Sequence, residues 1–190
     1  MKNKMKYTIP GQVFSIIVTH IEAAFLFFFV WLLAITVTSG KTGGLIYSSI
    51  SSLFYFMMVY SAGYSAAKND KKSYTKLNPF PYKGALLSLG LLFVNIIVLV
   101  IYHLSWYFGG TDDGIKLGWA LAGNVFSIFW FAPYMNLLKM ENGHIALYGY
   151  AIILLLHVIA CFLGYFAGYK NFDISAKFKF LVYDTKKKKK

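Results

Sequence analysis

Four stretches of the chain are apolar over more than eighteen residues. They run from about Val13 to Thr38, Leu45 to Ala67, Gly84 to Tyr107 and Ile145 to Tyr169. A helix needs about 20 residues, at about 1.5 Å each, to cross a hydrocarbon core of about 30 Å. Each stretch is long enough, and each predicts a membrane-spanning helix. Trp106 and Tyr107 close the third stretch, and Tyr148 and Tyr150 open the fourth. Rings at such ends suit the membrane–water interface.

A fifth stretch, "KLGWALAGNVFSIFWFAPYMNLLK" over 116–139, is apolar but built differently. Pro133 limits its regular helix to about residues 117–132, roughly 24 Å, which is short for a span. Asn124 and Asn136 add polar groups. Trp119, Phe126, Phe129, Trp130, Phe131 and Tyr134 crowd it with rings. The segment therefore reads as an outer-face element that lies on the bilayer or re-enters it. Were it to cross, the chain would have five spans.

Charge placement decides between four spans and five. Every basic residue is Lys. Lys2, Lys4 and Lys6 precede the first span. Lys68, Lys71, Lys72, Lys76 and Lys83 lie between the second and third. Lys170, Lys177, Lys179, Lys186, Lys187, Lys188, Lys189 and Lys190 follow the last. With four spans all three groups share one side, which the positive-inside rule makes cytoplasmic. With five, the C-terminal lysines would move outside. The expected fold is thus an all-α polytopic membrane bundle of four transmembrane helices with an aromatic outer-face segment. It forms a single membrane domain with both termini cytoplasmic. The expected location is a bacterial cytoplasmic membrane.

Composition agrees. The 190 residues are 58% hydrophobic and 19% aromatic. The mean hydropathy is +0.56, a value soluble domains rarely reach. Net charge is +12, yet there is no Arg. The absence of its bidentate fork argues against nucleic-acid recognition. Lysine suffices for anionic headgroups. In the basic tail 170–190, Lys177 and Lys179 alternate with Phe178 and Phe180, a pattern that lets rings insert while lysines meet lipid phosphates. The terminal Lys186 to Lys190 run extends that surface.

The polar residues inside the spans are few. Glu22 is the acidic residue of the first span, at helical spacing from Gln12, Ser15 and Thr19. An acidic group at mid-bilayer costs roughly 2.5–3.5 kcal/mol and is often functional. That stripe either lines a polar interior or lies near the cytoplasmic headgroups. His157 is central in the last span. A proton relay through Glu22 and His157 is one reading. A histidine hydrogen-bonded to a neighbouring helix is the plainer one. His20 is on a different helix face from Glu22.

Ala160, Gly164 and Gly168 form a small-residue ladder in the last span, and small residues let helices approach closely. Gly84 with Ser88 and Ser61 with Ser65 repeat the theme. The second span ends "SAGYSAAKND" and the last ends "FAGYKNFD". This echo fits two spans leaving the membrane on the same side.

No G-x-S-x-G, H-E-x-x-H or P-loop occurs. No pair of His, Cys or acidic residues is expected at i, i+4 ligand spacing. No metal or other cofactor is expected, and catalysis is not the favoured reading. The layout resembles that of small four-span membrane proteins of Firmicutes. The resemblance rests on the basic loop 68–84, the aromatic outer segment and the exit "GYFAGYKNFDISAKFKFLVY", and it carries over no activity. Vitamin-transporter substrate-binding subunits are similar in size and basicity, but usually have six spans. The expected function is a non-catalytic accessory or interaction subunit of a membrane complex. Its partners would be the bilayer, anionic headgroups and another membrane protein or a second copy. The alternative is permeation of a small solute or ion.

Overall fold

The computed structural model describes residues 8–37, 41–72, 77–108, 114–137, 140–141, 144–145 and 147–172. The lysines at 177, 179 and 186–190 lie outside these. Five α-helices account for most of the rest: α1 (Ile9–Val37), α2 (Lys41–Asp70), α3 (Lys83–Phe108), α4 (Gly114–Trp130) and α5 (Leu147–Tyr169). Four of them contain stretches long and apolar enough to cross a membrane: Ile9–Ala34, Gly43–Asp70, Lys83–Ser105 and Tyr148–Tyr169. These overlap the four stretches read from the sequence; the expected end of the first, Thr38, lies outside the described residues.

Local chemistry sets the helix ends. Thr8 caps α1, its hydroxyl accepting from the Gly11 N–H at 3.2 Å. Pro10 sits in the first turn, where a missing N–H leaves nothing unpaired. At the end of α5, Asn171 adopts the left-handed conformation, with φ of 56°. The Phe172 N–H then reaches the Ala167 carbonyl and the Asn171 N–H reaches Gly168. This double closure ends the helix with its last carbonyls satisfied, and Asn tolerates the position better than most residues.

The bundle is oriented by its ends. The start of α1, the end of α2, the start of α3 and the end of α5 meet on one face, here the N-terminal face. The Lys71 ammonium donates to the Tyr169 carbonyl and to Asn171 Oδ1 there. The two segments that echo each other in sequence therefore leave on the same side, and α2 and α5 run parallel.

Their contact is close. A Cβ at Gly164 would overlap the Tyr60 carbonyl oxygen, and one at Gly168 would press on Tyr64 and Ala67. From the other side, a Cβ at Gly63 would meet the Cys161 carbonyl oxygen. Gly84 brings α3 onto Cys161 and Tyr165 in the same way. The expected ladder is thus used inside the bundle, with Ala160 packed against the core at its edge. Ser61 and Ser65 are not part of it: both are exposed.

Residues 114–137 do not cross. Helix α4 has 17 residues, about 26 Å at the usual rise. It comes from the distal face, and its last residue, Trp130, reaches Asn95 near the middle of α3. A 3-10 helix, Ala132–Leu137, follows, broken in its regularity at Tyr134. Phe131, Ala132 and Tyr134 are buried. The Ser51 and Ser52 hydroxyls both donate to the Pro133 carbonyl, at 2.6 and 3.0 Å, and Tyr47 donates to the Phe27 and Ala132 carbonyls. A two-residue antiparallel pairing of Met140–Glu141 with His144–Ile145 precedes α5, which starts again at the distal face. This is a re-entrant element, entering and leaving on one side. Side-chain hydroxyls of α2 satisfy the backbone that Pro133 leaves irregular, as buried non-helical backbone in a membrane requires.

The outside is apolar. Phe14, Phe25, Leu33, Leu53, Phe93 and Leu155 are among the large side chains that face outward. Only 28% to 39% of each span's most apolar window is buried, so most of that surface is left for lipid. The chain is an integral membrane protein by this criterion.

Replacing Gly164 with Leu is expected to lower stability by about 1–3 kcal/mol, read as earlier thermal unfolding in detergent. Ala160→Leu should cost less. Equal unfolding temperatures for Gly164→Leu and the parent chain would contradict the close α2–α5 approach.

Candidate functional site

Three polar groupings interrupt this apolar bundle. The first is an ion pair at the N-terminal face. Asp70 ends α2 and Lys83 starts α3, and their side chains meet at 2.6 Å with almost no exposure. The turn through Pro79 and Pro81 returns the chain so that Lys83 faces Asp70. Gln12 of α1 donates to the other carboxylate oxygen, Oδ1. Tyr165 of α5 donates to Oδ2 at 2.6 Å. One carboxylate thus joins all four crossing helices. A buried carboxylate is tolerable when its oxygens are hydrogen-bonded and its charge is paired, and here both conditions are met.

The sequence reading missed this node. It placed Lys83 among the charges of the loop and gave Asp70 no role. The available signal was position: an acid and a base at the inner ends of two spans joined by a tight, proline-bearing loop.

The second grouping is a groove between α1 and α2 on the outer surface of the bundle. Its volume is about 360 Å³. Gln12, Ser15 and Thr19 line one wall, and Ser61, Ser65 and Asn69 line the other, over Met58, Ala62 and Ala66. Ser15, Ser61 and Ser65 are exposed to the outside. The groove runs from the N-terminal face inward by about 10 Å, the rise from Gln12 to Thr19. Glu22 stands one turn beyond Thr19, at the middle of the Ile9–Ala34 span, and its side chain is also exposed. The polar stripe read from the sequence therefore exists, but it faces outward rather than toward a polar interior. Among the described residues, Gln12 Oε1 is also buried without a hydrogen-bond partner.

The third grouping lies at mid-depth inside the bundle. His20 of α1 and His157 of α5 have ring centroids 6.0 Å apart. His20 Nδ1 meets the Tyr55 hydroxyl of α2 at 2.7 Å. Trp130, at the tip of the re-entrant element, lies 4.6 Å from His20 and donates its indole N–H to Asn95 of α3 at 2.7 Å. Tyr134, from the same tip, packs on His157 at 5.7 Å and on Tyr55 at 5.7 Å. As a phenol, Tyr134 carries its proton at physiological pH and can donate it in a hydrogen bond.

His157 is thus brought to His20, not to Glu22, which faces the other way. One pair at ligand spacing does exist: His157 and Cys161 stand four residues apart on α5, contrary to the expectation that none would. Both are buried. Among the described residues, however, no group of three or more His, Cys, Asp or Glu gathers to hold a metal ion.

The ion pair yields a direct test. Asp70→Asn or Lys83→Met alone leaves a buried charge unpaired and should cost about 3–5 kcal/mol; the double variant should recover much of that loss. Unfolding of all four chains in bicelles reads it out. Additive losses would mean that the pair is not coupled.

Compared with family models, with curated proteins and with solved structures, the chain matches none of them.

Proposed function

We propose that this chain is a non-catalytic membrane subunit that docks another membrane protein through the polar lateral face of α1 and α2. The observation that carries this reading is the groove together with Glu22. Hydroxyl, amide and carboxyl groups on the outside of an apolar bundle face hydrocarbon unless something covers them. Polar and ionisable groups at that depth normally pair with other protein groups. Ser, Thr, Asn and Gln are also the side chains that hydrogen-bond across helices in membranes. The groove offers both donors and acceptors over two helical turns, which suits a partner helix.

The same reading puts the N-terminal face in the cytoplasm of a bacterial cell. Lys68, Lys71 and Lys72 lie there, and the other lysines of the N-terminus and tail join them if the positive-inside rule holds. Lys83 counts with them toward that bias, although in the folded chain its charge is committed to Asp70. The lysine-rich face would contact anionic headgroups.

A photoreactive residue placed at Ser61 tests the docking face, with one at Phe93 as the lipid-facing control. In native membranes, illumination is expected to give a protein adduct of one discrete mass from Ser61 and lipid adducts from Phe93. Lipid adducts alone from both positions would contradict the proposal.

A second reading, permeation of a small ion, draws support from the re-entrant element whose tip meets two histidines at mid-depth. It expects an ion flux in sealed liposomes that His157→Ala removes. A flux indifferent to that substitution would count against it.

A further inference from the structure

Hydrogen-bond accounting at mid-depth leaves specific atoms over. His157 Nδ1 lies 2.6 Å from the Ile153 carbonyl. A carbonyl only accepts, so Nδ1 carries the proton. In the neutral ring Nε2 is then a bare acceptor. That Nε2 is buried and has no partner among the described residues. His20 uses Nδ1 toward Tyr55; its ring also comes near the Trp130 backbone, but its Nε2 is buried and makes no hydrogen bond of good geometry among the described residues. The Tyr134 hydroxyl, a donor, is in the same condition. Leaving a buried polar atom unpaired costs about 1–3 kcal/mol. Here three such groups belong to neighbouring rings, His157 lying against both His20 and Tyr134, and lipid offers them nothing.

A water molecule needs two to four polar partners to be held in an interior. Two imidazole nitrogens and a phenol supply that number. Their rings are also too far apart for a direct bond. Two imidazoles joined directly N–H to N would bring their centroids to roughly 5 Å, against the 6.0 Å found here.

We propose that His20 and His157 form a buried binding site for one water molecule and one exchangeable proton. The proton comes from solvent as hydronium and forms an N–H bond at one Nε2, while the other Nε2 accepts through the bridging water. No electron moves, and the site gains one positive charge. Aromatic rings surround that charge: Trp130 lies beside His20 at 4.6 Å, and Tyr55 and Phe56 lie beside His157 at 5.0 and 5.7 Å. Ring faces attract a buried cation.

The other titratable groups bearing on the pair are few. They are Tyr55 from α2, Tyr134 from the re-entrant tip and Cys161, one turn from His157 on α5. From α3 comes Asn95, an amide, through Trp130. From α1, Glu22 is turned to the outside. The buried Asp70 and Lys83 are committed to each other at the N-terminal face. A second proton is thus opposed by the first, since no buried anion stands by to offset it. Both Nε2 atoms accept only while His20 Nδ1, like that of His157, carries the proton and donates to the Tyr55 hydroxyl.

Solid-state NMR of the full chain, labelled with 15N-histidine and embedded in lipid bilayers, tests this. Spectra run from about pH 8 down to about pH 3, through and below the ordinary histidine range. The expected result is a neutral Nδ1–H tautomer for His157 at the high end and water contacts to both Nε2 atoms. On acidification the two residues should shift together at one midpoint, taking up one proton between them. His20→Gln should move the His157 midpoint by at least about one pH unit, and His103→Gln, near the distal end of α3, should leave the pair unchanged. Two independent midpoints, or imidazoles that stay neutral without water contact, would overturn the proposal. The unsubstituted chain decides the matter even if His20→Gln does not fold.

Discussion

The Asp70 carboxylate is the constraint on which the arrangement of the four crossing helices depends. Lys83 binds it from α3, Gln12 from α1 and Tyr165 from α5. Apolar side chains facing lipid exert little force that would fix how far one helix slides past another, because lipid is as apolar as they are. A buried charge with directional partners does exert such a force. It sets four helix ends at one level and leaves each with one low-energy register. Desolvating the carboxylate is costly, and the cost is offset only while every partner stays in place.

Two features follow from that register. Gln12 turned toward Asp70 carries Ser15, Thr19 and Glu22 around α1 with it, because residues three and four apart share a helix face. They come to lie opposite Ser61, Ser65 and Asn69 of α2, and the polar groove forms there. Tyr165 turned toward Asp70 places His157, eight residues earlier on α5, toward the interior. The small residues then let α2 and α5 touch along their backbones. On the distal side the helices leave room that the re-entrant tip fills with Trp130, Phe131 and Tyr134. The tip is held by hydroxyl groups of Tyr47, Ser51 and Ser52, all on α2.

Much of this was legible in the order of residues. Four long apolar runs, Pro133 within a run too short to cross, and the placement of lysines predict the four helices and the re-entrant reading of 116–139. The glycine ladder was legible as close packing because a small side chain has few other uses in a span. The partners were not legible. Lys83 looks like any loop lysine until the turn after Pro81 brings it onto Asp70. Ser61 and Ser65 share the spacing of a packing ladder, yet they line a groove, because spacing gives a face without saying what that face meets. His20 was separated from Glu22 by periodicity, but its nearness to His157 is a contact between residues 137 positions apart in the chain. No local pattern encodes it.

The central claim is that the chain crosses four times and that residues 114–137 return to the face they left. Single cysteines at Tyr107, Tyr148 and Lys72, each in a Cys161→Ala background, put it to the test in sealed vesicles with a membrane-impermeant thiol reagent. Tyr107 and Tyr148 lie exposed at the distal ends of α3 and α5, and Lys72 is exposed at the N-terminal face. The account predicts that Tyr107→Cys and Tyr148→Cys react from the same side and Lys72→Cys from the opposite one, whichever way the protein is inserted. Reaction of Tyr107→Cys and Tyr148→Cys from opposite sides would mean that the segment between them crosses, and the four-helix account would be wrong.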